Sequence, residues 1–175
     1  LEGGGLSFYG AVISSFLFDW LYLKYRGLPF WSTMDCVGMG LPLGAVFARL
    51  GCWLNGCCHG AVCDLPWAMV FPGTHGARVH PSQLYESLAC LIIFIGLQKW
   101  KKNQRWYGQM FLLYLSSYAI FRFGAEFLRD DNPAQWWVLT MAHLTSLVAL
   151  ALATLTWKKL ASDISQRVPP TVSAS

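Results

Sequence analysis

Charge is what this chain has least of. Only 13% of its 175 residues are Asp, Glu, Lys or Arg, while 55% are hydrophobic; a soluble domain carries about 25% charge. That shortage excludes an ordinary solvated surface. Acidic residues are the scarcer sign, nine against thirteen basic ones. The net charge of +4 still does not make a nucleic-acid binder, because the basic residues flank apolar segments and form no patch. No basic stretch precedes the first apolar run, so nothing here resembles a cleavable signal peptide. The chain opens on Leu1 inside a Gly-rich stretch without a methionine, so a missing N-terminal part is expected. No internal repeat is visible, and one domain is the simplest count.

What is present is apolar and aromatic. Nine Trp, seven Tyr and eleven Phe fit the aromatic belts of membrane interfaces. Five segments, near Leu6–Leu23, Cys36–Leu54, Gln83–Trp100, Tyr107–Leu128 and Trp137–Trp157, approach the roughly 20 residues that a spanning helix needs. The expected fold is an all-α polytopic transmembrane helix bundle of about five spans. It would occupy residues 1–161, with a disordered cytoplasmic tail over 162–175 that is rich in Ser, Pro and Val. Lys24, Arg26, Lys99, Lys101, Lys102, Arg105, Lys158, Lys159 and Arg167 fall on one side of this arrangement, and only Arg78 and Arg129 on the other. The positive-inside rule therefore turns the 55–82 loop outward.

This topology predicts a convergence. Tyr9, Arg49, Gln83, Glu86, Arg122 and Glu126 all fall near the outer ends of their segments, with Arg129 just beyond. Arg122, Glu126 and Arg129 are spaced to share one helix face. A charged residue at a helix centre costs roughly 2.5–3.5 kcal/mol on insertion scales, so a chain that keeps several at one depth is expected to use them. The pattern describes an electropositive pocket at headgroup depth.

Arg49 and Arg122 lead the candidates, since a guanidinium grips a phosphate bidentately and stays charged in a dry site. The blander alternative is that they pair with Glu86 and Glu126 and hold helices together. Those two carboxylates either orient the arginines or accept protons. Asn55 and Gln83 can hydrogen-bond a glycerol or ester oxygen, or cap a helix end. Gly51, Gly56 and Gly60 allow close backbone approach. His80, ahead of Pro81, reads equally as a base or as a hydrogen bonder at a helix entry. His143, distant in sequence, reads as an interhelical histidine.

Cys52, Cys57, Cys58, His59 and Cys63 invite a metal reading, but their spacing is not that of a zinc ribbon. Adjacent Cys57 and Cys58 are not expected to ligate one ion together, so no metal is expected. Apolar packing at a helix end is the default, and a disulfide involving Cys63 the alternative. Cys36 and Cys90 read as core residues.

Several of these segments together resemble the bacterial prolipoprotein diacylglyceryl transferase family. Arg49, Gly51, Asn55, Gly56 and Gly60 match its signature, and His80-Pro81-Ser82-Gln83-Leu84-Tyr85-Glu86 reproduces another segment in full. Tyr118, Arg122, Glu126 and Arg129 match a helix motif, and Glu2-Gly3-Gly4 with Ser7-Phe8 an N-terminal one. The resemblance implies transfer of the diacylglyceryl group of phosphatidylglycerol to the lipobox cysteine in the signal peptide of a prolipoprotein, at the bacterial inner membrane, with the active site toward the periplasm. It implies further spans before Leu1, membrane lipid as substrate and no cofactor. Arg49 would hold the phosphate, and Arg122 would support it, oriented by Glu126 and Tyr118. Catalytic roles fall to Arg49, Arg122, Tyr9, Glu126 and His80; substrate contacts fall to Arg49, Asn55, Gly60, Gln83, Glu86, Tyr118 and Arg129. This chain departs from the family at three places. Tyr9 replaces a histidine, Cys52 an asparagine and Cys57 a glutamate.

Overall fold

The computed structural model describes residues 4–128 and 140–163, and within them all side chains except those of 4–9, 11–13 and 128. Five helices follow one another: α1 (Gly4–Arg26), α2 (Phe30–Asn55), α3 (Ser82–Trp100), α4 (Gln109–Ala125) and α5 (Met141–Ser162). Each coincides with one of the apolar segments. Among the described residues there is no strand. Two of the helices, α2 and α5, are long and apolar enough to cross a membrane, with mean hydropathies of 1.4 and 1.3.

Contacts at the helix ends fix the directions. The start of α2 meets the start of α4, because Asp35 accepts hydrogen bonds from Gly108, Met110 and Phe111. The end of α2 meets the start of α3 through Arg49 and Glu86, and Trp106, just before α4, packs edge-on against Trp157 near the end of α5. Hence α2 and α4 run one way, α3 and α5 the other. α1 reaches α2 through Phe16 and Phe30, whose rings lie 5.9 Å apart.

α2 is held unusually close to α4. A Cβ placed on Gly38 would lie 2.6 Å from the Phe111 Cα, so only glycine permits this approach. α2 also runs through the buried Pro42 without ending, although proline removes one hydrogen bond of the ladder. It stops at Gly56, whose φ of 71° is left-handed and whose N–H returns to the carbonyls of Cys52 and Trp53. This is the usual glycine stop signal.

The 56–81 loop folds onto itself and onto α3. The strip around Val79 pairs on both edges, bridging to Val62 and to Met69. Gly60 donates to the His80 carbonyl at 2.8 Å, and the His80 N–H to Ala61 at 3.0 Å. Ser82 and Gln83, in the first turn of α3, bond the Cys58 and Cys57 carbonyls at 2.9 and 2.6 Å. The loop is thereby tied down at both margins.

The sequence reading placed the polar residues at one end of the bundle only. The structure adds a second buried polar cluster at the other end, centred on Asp35. Its Oδ2 takes Gln104 Nε2 at 2.6 Å and the Gly108 N–H at 2.7 Å; its Oδ1 takes Met110 and Phe111 at 2.8 and 3.1 Å. A carboxylate at the open N-terminus of α4 satisfies donors that the helix cannot satisfy itself. Asp35 sits one residue before the expected apolar run. Cys36 is exposed, against its reading as a core residue: it stands beside Asp35, and Asp35 takes the inward direction. Cys90 is buried.

Candidate active site

At the opposite end of the bundle, α2, α3 and α4 bring three polar side chains together. Arg49 Nη2 lies 2.9 Å from Glu86 Oε1. The Tyr118 hydroxyl donates to that same oxygen at 2.7 Å. One turn beyond Tyr118 on α4, Arg122 Nη2 lies 2.7 Å from Glu126 Oε2. Both guanidinium charges act on the Tyr118 hydroxyl, so the two ion pairs belong to one electrostatic cluster.

The pairs are asymmetric in a useful way. The arginine side chains are 26% and 19% exposed, whereas their carboxylate partners are 6% and 0% exposed. The acids form the floor and the guanidiniums the face. Arg122 Nη1 is buried and has no hydrogen-bond partner. A buried charged donor left idle is costly, and an anion at this face would satisfy it.

Thr140, which the sequence did not single out, and His143, read there only as interhelical, complete the second pair. Thr140 Oγ1 donates to Glu126 Oε1 at 2.8 Å. His143 Nδ1 accepts from the Thr140 N–H at 3.2 Å and lies 3.1 Å from its hydroxyl. The imidazole is boxed by Phe123 and Phe127, each 4.7 Å away between ring centroids. His143 is therefore interhelical, as expected, but it belongs to the site. The signal was available in the topology: α5 starts at Met141 rather than at the expected Trp137, which lifts His143 into its first turn.

The other predicted residues are placed as follows. Tyr118 bonds Glu86, not Arg122 as the resemblance implied. Gln83 is buried, one turn ahead of Glu86, and gives its Nε2 to the Cys57 carbonyl; its Oε1 has no partner. Gly60 is buried and spends its N–H on the loop. Asn55, exposed at the last position of α2, hydrogen-bonds the Cys57 thiol and holds it below its ordinary pKa, aided by Cys58 and Cys52. His80 Nδ1 faces the Tyr85 hydroxyl at 3.4 Å, and that hydroxyl accepts from Trp67 Nε1 at 2.7 Å. His80 thus sits in an aromatic network on the loop side. The Tyr9 side chain and Arg129 lie outside the described residues.

None of the six cysteines is joined in a disulfide. The sulfurs of Cys52, Cys57 and Cys58 nevertheless lie within 4.8 Å of one another, close together even though adjacent Cys57 and Cys58 are not expected to ligate one ion.

Comparison with known proteins gives a consistent picture. Residues 1–158 match the family model described as prolipoprotein diacylglyceryl transferase. The phosphatidylglycerol–prolipoprotein diacylglyceryl transferase of Wolinella succinogenes is 37% identical over 150 residues, covering 85% of this chain and 54% of that protein. Those of Clostridioides difficile and Chromohalobacter salexigens are 36% and 37% identical, covering 85% and 86% of this chain and 58% of each relative. The chain spans little more than half the length of these relatives.

Proposed function

Because the chain belongs to the prolipoprotein diacylglyceryl transferase family, we propose that it transfers the diacylglyceryl group of phosphatidylglycerol to the lipobox cysteine thiol of a prolipoprotein. The observation that carries this reading is the pair of guanidiniums presented on a floor of carboxylates, one of them with an idle buried Nη1. Residues 1–161 form the membrane domain and 162–175 a cytoplasmic tail. All five helices cross the bacterial inner membrane, with the 55–82 loop and the charged cluster on the outer, periplasmic side, in keeping with the Lys/Arg bias.

In this reading Arg49 and Arg122 hold the phosphate diester, and Glu86, Tyr118, Glu126 and Thr140 fix their directions. The thiol sulfur forms a bond to the terminal glyceryl carbon as the bond from that carbon to the phosphate oxygen breaks. Glycerol 1-phosphate leaves with the electron pair. The two arginines stabilise the charge that accumulates on it, the kind of preorganised electrostatics that dominates many active sites. The thiol proton passes to the departing phosphate monoester, whose second pKa is about 6, so neither Tyr9 nor His80 has to act as base. The chemistry calls for no cofactor, and the substrates are membrane lipid and a prolipoprotein signal peptide.

The test uses membranes containing the full chain, labelled phosphatidylglycerol and a lipobox peptide. A thioether-linked diacylglyceryl peptide is expected, and Arg49→Ala should abolish it. Product that persists undiminished in Arg49→Ala would sink the role given to this arginine. A second reading, binding of phospholipid or lipoprotein without transfer, is favoured by Cys52 and Cys57 standing where the family signature has Asn and Glu. Lipid retained by Arg49 with no product formed would select it.

A further inference from the structure

The bend that follows α2 contains two left-handed residues in three positions, Gly56 at φ 71° and Cys58 at φ 61°. Glycine adopts that conformation freely, but an ordinary L-residue is disfavoured there by its Cβ. Here it curls the chain back over the last turn of α2. The Cys57 N–H returns to the Cys52 carbonyl at 3.1 Å, and the Cys57 Sγ lies 3.7 Å from the same oxygen. The outcome is that three sulfurs, from Cys52, Cys57 and Cys58, share a space no wider than 4.8 Å. The fold maintains this bend from outside, because Gln83 and Ser82 of α3 hold the carbonyls of Cys57 and Cys58. The cluster is therefore preorganised by helix packing.

We propose that Cys52, Cys57 and Cys58 form a binding site for one copper(I) ion. Thiolates are soft ligands that select Cu(I), zinc and iron–sulfur clusters. A metal–sulfur bond of about 2.3 Å sets sulfurs in a trigonal plane about 4 Å apart, so the three thiols need only a small contraction to close on an ion. Each thiol releases its proton to solvent as its sulfur bonds.

The number of ligands argues for monovalent copper over zinc. Structural zinc takes four protein ligands, and the adjacent histidine is engaged elsewhere: the His59 ring stacks on Phe71 with centroids 5.8 Å apart, and its Nδ1 faces the Gly60 carbonyl at 3.3 Å. Three thiolates complete the trigonal coordination that copper(I) accepts. Access is open, since Cys58 is exposed while Cys52 and Cys57 are half-buried. Nothing in this site depends on lipid transfer, although Arg49 lies one turn from Cys52 and its charge interacts with that sulfur.

The experiment takes the full chain, purified in detergent, reduced and kept anaerobic, and titrates it against the copper(I)–bicinchoninate complex. One equivalent of copper should be withdrawn from the chelator, and X-ray absorption of the loaded protein should show three sulfurs at about 2.3 Å. Cys52→Ser, Cys57→Ser and Cys58→Ser should each weaken binding at least tenfold, with helix content by circular dichroism unchanged. Cys36→Ser and Cys63→Ser should bind as the parent does. Because Cys58 is exposed, its serine variant tests the site without threatening the fold. The proposal is overturned if the reduced chain withdraws no copper, if Cys63→Ser loses as much as the three others, or if only two sulfurs surround the ion. It is equally overturned if mass spectrometry finds a bond between two of the three cysteines that re-forms on removal of reductant while the reduced chain takes up no copper.

Discussion

The two ends of α2 each bury a carboxylate, and they treat it differently. At the Asp35 end the acid meets four N–H donors, three of them backbone amides at the start of α4. Every lone pair there has a fixed partner, and the arrangement has no vacancy for a ligand. At the other end, about 20 Å away along the helix, Glu86 and Glu126 face arginines whose outer edges remain free to engage something else. A carboxylate wrapped in backbone is architecture; a carboxylate propping up a guanidinium is a platform. The same residue type thus carries opposite functions within one helix-length, and what separates them is the donor set.

The comparison can be broken most forcefully at Asp35. Asp35→Ala would leave three backbone amides without an acceptor and Gln104 with the Trp106 carbonyl alone, at a cost of about 3 kcal/mol or more. A large drop in the thermal unfolding temperature in detergent is expected, with lost activity tracking lost folded protein. If Asp35→Ala unfolds as the parent does, the architectural reading of that end is wrong. Arg49→Ala should shift the balance the other way: a smaller drop in unfolding temperature, because Glu86 loses its ion pair but keeps the Tyr118 hydroxyl, and transfer reduced about a hundredfold or more, the scale set by losing one preorganised donor. Arg49→Lys should recover only part of this, because an ammonium lacks the bidentate fork.

Gly38→Ala sharpens the contrast from the middle of the bundle. Its new methyl would meet the Phe111 backbone, which cannot yield as a side chain can, and overpacking of this sort costs about 1–3 kcal/mol. Lower stability with a modest loss of activity is expected, measured on the same samples. Smallest should be Tyr118→Phe, which removes one hydrogen bond to Glu86 while Arg49 stays paired. A several-fold fall in the transfer rate is expected, corresponding to about 1 kcal/mol, with no measurable change in unfolding. A Tyr118→Phe variant as damaged as Arg49→Ala would mean that the hydroxyl acts on substrate directly.

Much of this arrangement was legible in the amino-acid order, and for identifiable reasons. Apolar runs near spanning length announce helices, and alternating direction then decides which helix ends meet. That is enough to bring Arg49, Glu86 and Arg122 to one end without coordinates. Asp35 was not legible, because three of its four partners are backbone amides and leave no trace in residue identity. Thr140 and His143 were obscured by a helix start four residues later than the apolar run suggested. The grouping of Cys52, Cys57 and Cys58 was visible in the sequence but its closeness was not, for a third reason: spacing rules assume ordinary backbone, and Cys58 is left-handed.

The anchoring of the loop has a mechanical consequence for access to the charged face. The segment from Gly56 to Pro81 is fastened to α3 through Gln83 and Ser82, and its two margins are stitched together at Gly60, Ala61 and His80. Glu86 stands a single turn further along that helix. Lifting the loop would drag this turn with it and pull Glu86 from Arg49. The loop is therefore a fixed element and not a lid, and on the proposed function its substrates would reach the charged face from the side, between helices.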